Sequence, residues 1–123
     1  MINIPVSVGE LFDKMTILEI KLENIKDPDK IINIQKELKM LFLVSNPIDK
    51  TSITDLVDKL KVVNKKLWII EDNIRIKEKE QKFDDEFIQL ARDVYKTNDK
   101  RSEIKKEINK LTNSELIEEK SYE

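Results

Sequence analysis

Apolar residues recur along most of the chain at alternating spacings of three and four, the pattern of helices that each bury one face. Leu11, Met15, Leu18, Leu22 and Ile25 form the first stripe, and Ser7-Val8-Gly9-Glu10 ahead of it fits a capping box, a hydroxyl at the N-cap with a carboxylate three residues on. This predicts a first helix over 7–26. Asp27-Pro28 ends it and starts another. Asp27 supplies the cap, and Pro28 takes the first turn, where a missing N–H is harmless. Ile31, Ile34, Leu38 and Leu41 then carry a second helix over 28–45, closed by Asn46-Pro47.

The third stripe is the most regular. Ile53, Leu56, Leu60, Val63, Leu67, Ile70 and Ile74 hold a three-four alternation that predicts a helix over 52–80, with Thr51 or Ser52 as its cap. After a charged stretch from Lys77 to Lys82, Asp84 caps a fourth helix over 85–112, and Asp85 and Glu86 favour its first turn through the helix dipole. Phe87, Leu90, Val94, Ile104, Ile108 and Leu111 keep its register. Short connections make consecutive helices antiparallel, so the last two helices form a hairpin of about 40 Å at 1.5 Å per residue. The first two make a shorter hairpin packed on it. Residues 115–123 are expected to form a helical turn or an extended arm. The expected fold is all-α, an antiparallel bundle of about four helices forming one domain and dominated by a coiled-coil-like hairpin.

Composition supports this and narrows the chemistry. One Gly and three Pro in 123 residues leave little punctuation for a loop-rich or β-rich fold, and the periodic apolar residues argue against disorder although 39% of residues are charged. Basic and acidic residues, 23 against 25, nearly cancel, so no global field draws the chain to nucleic acid or an anionic membrane. The absence of Cys and His excludes thiol nucleophiles, imidazole bases and ordinary zinc sites formed by this chain alone. The longest apolar run, Met40 to Val44, is far too short to span a bilayer, and the opening Met-Ile-Asn-Ile-Pro-Val lacks a basic leader, so a cytoplasmic location is expected.

One interruption of the pattern stands out. Past Val94 the next seam positions are Thr97 and Arg101, with Asn98 beside them. If the hairpin turns near residue 82, Arg92 falls opposite Glu71 to Asn73, Tyr95 opposite Ile70 and Glu71, and Asn98 opposite Leu67 and Trp68. Trp68, Glu71, Asp72, Arg75, Arg92, Tyr95, Asn98, Asp99 and Arg101 then make up a candidate ligand or partner site. Lys outnumbers Arg by 20 to 3. Arg in such a zone suits two-pronged hydrogen bonding to a carboxylate or phosphate. The competing, favoured reading is that these groups satisfy one another and fix helix register, as buried polar layers do in coiled coils.

Other constellations are weaker. Glu10 with Asp13, and Asp99, Glu103 and Glu107 at four-residue spacing, could present carboxylates to Mg²⁺, but in a chain with 25 acids such spacings arise by chance and mostly decorate solvated faces. No cofactor beyond that weak Mg²⁺ option is expected. The Lys-rich stretches 59–66 and 96–110 are interleaved with acids and lack stacking aromatics, so nucleic acid is not the expected partner. Trp68, beside the Leu67 seam position, reads first as a core or interface anchor.

The strings Glu-Leu-Phe-Asp-Lys-Met-Thr-Ile-Leu-Glu-Ile-Lys from Glu10, Leu-Trp-Ile-Ile-Glu-Asp from Leu67, Ala-Arg-Asp-Val-Tyr-Lys-Thr-Asn-Asp-Lys-Arg from Ala91 and Glu-Glu-Lys-Ser-Tyr from Glu118 together resemble an uncharacterised family of small helical bacterial and phage proteins. That resemblance implies an accessory role near lipopolysaccharide or other surface-sugar synthesis and brings no catalytic assignment. The expected function is therefore a non-enzymatic interaction module acting on a protein partner or as a homodimer. The alternatives are an all-α, Mg²⁺-dependent nucleotide pyrophosphohydrolase, or a binder of a phosphorylated or sugar-nucleotide ligand.

Overall fold

A computed structural model describes residues 1–119. Four helices make up the fold, α1 (Val8–Asn24), α2 (Pro28–Ser45), α3 (Thr54–Lys79) and α4 (Asp85–Leu111), and there is no strand among the described residues. Capping chemistry sets most boundaries. The Ser7 hydroxyl accepts from the Glu10 N–H at 3.1 Å, the Asp27 carboxylate from Asp29 at 3.0 Å and the Asp84 carboxylate from Phe87 at 3.0 Å.

Two boundaries differ from the sequence expectation by two residues, the others by one at most. α1 stops at Asn24, whose side-chain amide donates back to the Ile20 carbonyl at 2.7 Å while Ile25 is already extended. α3 begins at Thr54 and has no side-chain cap; Thr51 is instead folded into a turn with Asp49, which accepts from its N–H at 3.0 Å and its hydroxyl at 2.6 Å. The N-cap residue is Ile53, which is wholly buried, so core burial positions that end of the helix. The two long helices both end in Schellman motifs. Lys82 N–H returns to the Lys77 carbonyl and Ser114 N–H to that of Asn109, with Gln81 (φ 57°) and Asn113 (φ 53°) in the left-handed region.

Backbone to backbone, α1 neighbours the other three helices, α3 pairs with α4, and α2 neighbours α1 alone. The core joins Leu11, Phe12 and Met15 of α1 to Ile53, Leu60 and Ile108, with Leu38 and Leu41 of α2 packed on its edge. Each such side chain contributes about 1.5–3 kcal/mol by leaving water. This core lies where α3 begins and α4 ends. No residue from Glu71 through Lys96 is buried, so the outer half of the α3–α4 hairpin stands as a two-helix arm. Its turn is clamped by Lys77, which reaches Asp84 at 3.0 Å and Glu86 at 2.9 Å, and by an edge-to-face contact of Phe83 with Phe87.

After α4 the chain turns back along it. Val8 N–H donates to the Ser114 hydroxyl at 3.1 Å, and Glu118 and Glu119 reach Lys105 and Lys106 at 3.4 and 3.0 Å. The described part of the arm, residues 115–119, is irregular rather than helical. The rest of the expected arm, 120–123, which also holds the end of the Glu118 string, lies outside the described residues.

Candidate functional site

The close approach of α1 to α4 builds the polar centre. Gly9 is the only glycine in the chain, and a Cβ there would sit 2.6 Å from the Lys105 carbonyl oxygen, so only glycine lets the two backbones come so near. Its N–H donates to the Asn109 side-chain oxygen at 2.7 Å. One turn further along, Asp13 is enclosed, at 1% exposure, and its carboxylate accepts from Arg101 Nε at 2.9 Å and from Arg101 Nη2 on the second oxygen. Asn64 of α3 donates to Asp13 Oδ1 and to Thr16 Oγ1, both at 2.9 Å, and the Thr16 hydroxyl donates to the Asp13 carbonyl at 2.8 Å. Three helices are thus tied through one carboxylate.

Burial pushes the Asp13 carboxyl up, but hydrogen bonds from Arg101 and Asn64 and the nearby charges of Arg101 and Lys105 outweigh it and hold the group below the ordinary aspartate range. Glu10 behaves alike. Burial raises it, and hydrogen bonding, first to Lys105 at 2.6 Å, brings it below the usual value. Lys105 is correspondingly raised, since its bond to Glu10 and the charges of Asp13, Glu10 and Glu118 overcome its desolvation. The half of the capping box expected from Glu10 is absent because its carboxylate is turned to Lys105 instead.

Above this knot, between the C-terminal half of α1 and the α3–α4 hairpin, lies a groove of about 570 Å³, here called the fork. Ile17, Ile20, Leu67 and Trp68 form its apolar floor, and Asn64, Glu71, Asp72, Arg75, Asn98 and Arg101 its polar lining. Six of the nine residues singled out in the sequence meet here. Arg92, Tyr95 and Asp99 do not line it, and Tyr95 is 54% exposed on the arm. The expectation that these groups neutralise one another is not met. Among the described residues Glu71, Asp72, Arg75, Arg92, Tyr95 and Asp99 make no ion pair and no side-chain hydrogen bond, and only the contact of Arg101 with Asn98, at 3.3 Å, joins two of the nine. Of the acids considered for Mg²⁺, Glu10 and Asp13 face Lys105 and Arg101, Glu103 and Glu107 are exposed on α4, and no three acids converge among the described residues.

The profile of a family of unknown function, DUF6165, matches residues 2–123. The chain belongs to that family. No curated protein and no solved structure matches it. The resemblance carried by the Glu10, Leu67, Ala91 and Glu118 strings therefore stands at the level of a family without assigned function, and three of the strings fall on the site. The Glu10 string supplies Glu10, Asp13, Thr16, Ile17 and Ile20, the Leu67 string Leu67 and Trp68 of the floor and the acidic rim, and the Ala91 string Asn98 and Arg101.

Sequence reasoning missed Asn64, Thr16, Lys105 and Asn109, and placed Asp13 only among weak metal candidates. Two signals pointed their way. A lone glycine in a helical first turn marks a close backbone approach, and an Asn next to seam residue Val63 interrupts an otherwise Lys-rich face.

Proposed function

We propose that the chain is a non-enzymatic helical binding module that receives its ligand in the fork between α1 and the α3–α4 arm. The observation that carries this reading is the contrast between the two polar regions. The enclosed Asp13 and the half-buried Glu10 are each already held by a cation, whereas Glu71, Asp72 and Arg75 of the groove make no ion pair or side-chain hydrogen bond among the described residues and stand beside an apolar floor. The groove's volume falls in the usual range for ligand sites, about 300–1,000 Å³.

On the resemblance that its sequence strings carry, we place the module as an accessory in surface-polysaccharide or phage-host metabolism. The test is a thermal-stability screen against nucleotides, sugars and peptides, with and without Mg²⁺, followed by mass spectrometry of any stabilising compound. A ligand at 100 times its dissociation constant adds about 2.7 kcal/mol. Recovery of the ligand intact, with stabilisation lost in Trp68→Ala, supports the reading. Release of pyrophosphate from a nucleoside triphosphate, abolished by Glu71→Gln, would overturn it in favour of a phosphohydrolase.

Self-association is favoured by a separate observation. Phe42, Leu43 and Val44 at the end of α2 are each more than half exposed, as is Ile32. Light scattering is expected to report a dimer that Phe42→Glu converts to a monomer, and a wild-type monomer would exclude it.

A further inference from the structure

The chemistry of the fork restricts what it can hold. Asn64 is 4% exposed, and its amide nitrogen is engaged by Asp13 and Thr16. An ionised carboxylate only accepts hydrogen bonds, so the nitrogen must face Asp13 and the amide oxygen must face the other way. That oxygen meets no donor among the described residues. No fully enclosed side-chain polar atom lacks a partner there, so the oxygen opens onto the groove that Asn64 lines. Beside it, Arg101 uses three of its five N–H groups on Asp13 and Asn98, and the Asn98 oxygen takes one of these, leaving donors on both side chains. The inner end therefore offers one fixed acceptor next to fixed donors. The rim adds two acceptors, Glu71 and Asp72, and one donor, Arg75.

Charge excludes the most obvious guest for an Arg-containing groove. The Arg101 charge is matched by Asp13, and at the rim two carboxylates outnumber one guanidinium, so a phosphate would meet net repulsion. A wholly apolar guest would strand the Asn64 oxygen out of water, which is costly. What fits is a group that both donates and accepts at neighbouring atoms and has an apolar face for the Trp68 ring. Hydroxyl groups on adjacent carbons of a ring have that chemistry.

We infer that the fork binds an uncharged ring bearing adjacent hydroxyls, stacked on Trp68, with its hydroxyls shared between Asn64 and Arg101 at the inner end and Asp72 and Glu71 at the rim. Such a ring is found in a saccharide or in the ribose of a nucleoside. The inference rests on the binding reading above and adds the ligand class to it.

Trp68 is the sole tryptophan, so its emission reports on the fork alone. The full chain is titrated with neutral mono- and oligosaccharides, with nucleosides, and separately with inorganic phosphate, nucleoside phosphates and a basic peptide. A saturable change with one of the two neutral ring classes is expected and identifies the source. It should weaken about tenfold or more in Asp72→Asn, because a hydrogen bond to a charged group is worth about a factor of ten. Both variants at the rim, Asp72→Asn and Glu71→Gln, are exposed substitutions that leave the knot intact, so circular dichroism and emission of the free protein should match wild type. A response to phosphate or peptide with none to neutral rings overturns the ligand class and leaves the binding module standing. No response in any arm overturns both.

Discussion

Replacing Arg101 by Met isolates the energetics of the polar knot. Arg101 supplies two hydrogen bonds to a carboxylate that is 1% exposed, and after its removal Asp13 keeps only the Asn64 amide and Lys105 at 3.8 Å. Removing one partner of a buried ion pair costs about 3–5 kcal/mol, because the remaining charge is still out of water. The remaining cation places this case near the lower limit, about 3 kcal/mol. That is a large share of a domain stability of about 5–15 kcal/mol, yet it leaves the fold populated, with a midpoint lowered by about 10 °C. Replacing both partners, Asp13→Leu with Arg101→Met, removes charge and countercharge together and is expected to cost less than the single change, since apolar replacements of buried pairs are often close to neutral. Urea denaturation of the four proteins of this double-mutant cycle, followed by circular dichroism at pH 7, gives the coupling directly. A loss below about 1 kcal/mol for Arg101→Met, or a double variant as unstable as the sum of the singles, would refute the view that an unbalanced Asp13 charge dominates.

Three further outcomes follow from the same geometry. Gly9→Ala should destabilise by about 1–3 kcal/mol in the same denaturation assay, although Ala ordinarily improves a helix, because its Cβ would lie 2.6 Å from the Lys105 carbonyl oxygen. Gln81→Gly should stabilise by about 1 kcal/mol, read in urea, since Gln81 holds φ 57° at the C-terminal turn of α3 with its side chain exposed. The carboxyls of Asp13 and Glu10 are lowered in the folded state, so the stability they confer is intact above the unfolded values of about 4 and is lost as pH falls through the folded ones. For Lys105, which is raised, the contribution is intact below about 10.4 and is lost as pH rises further; denaturation midpoints measured across both windows check the two signs.

The helices were legible because each buries a single stripe, and a stripe is a local property of the sequence. The caps at Ser7, Asp27 and Asp84 could be read for the same reason. The cap at Thr51 could not, because Asp49, two residues before it, draws Thr51's own N–H and hydroxyl into a turn and the helix begins only at Thr54. Leu67, Trp68 and Asn98, expected to fall at one height of the hairpin, all line the fork. What the sequence could not show is which polar residue of one stripe meets which residue of another. Asp13 finds Asn64 across 51 positions and Arg101 across 88, and nothing local distinguishes Asp13 from the other acids of a strongly charged chain. The seam break at Thr97 and Arg101 was visible; its partner was not. Arg92 and Tyr95 were grouped with the site because hairpin pairing fixes height along the arm but not the side that α1 occupies.

The knot and the fork share two side chains, and this links stability to recognition. Arg101 and Asn64 point their remaining polar atoms into the groove because their other atoms are fixed on Asp13. Orienting them is therefore part of folding, and a ligand meets a preset acceptor and donor rather than having to order them. The orientation depends on Asp13 being a pure acceptor. In Asp13→Asn the new amide offers both an oxygen and N–H groups, so Asn64 can turn over and present its NH₂ to the fork. Ligand affinity should then fall about tenfold, measured by Trp68 emission, although residue 13 does not line the groove. Unchanged affinity in a folded Asp13→Asn protein would mean that the Asn64 oxygen makes no contact with the ligand, and the rim carboxylates alone would then have to account for recognition.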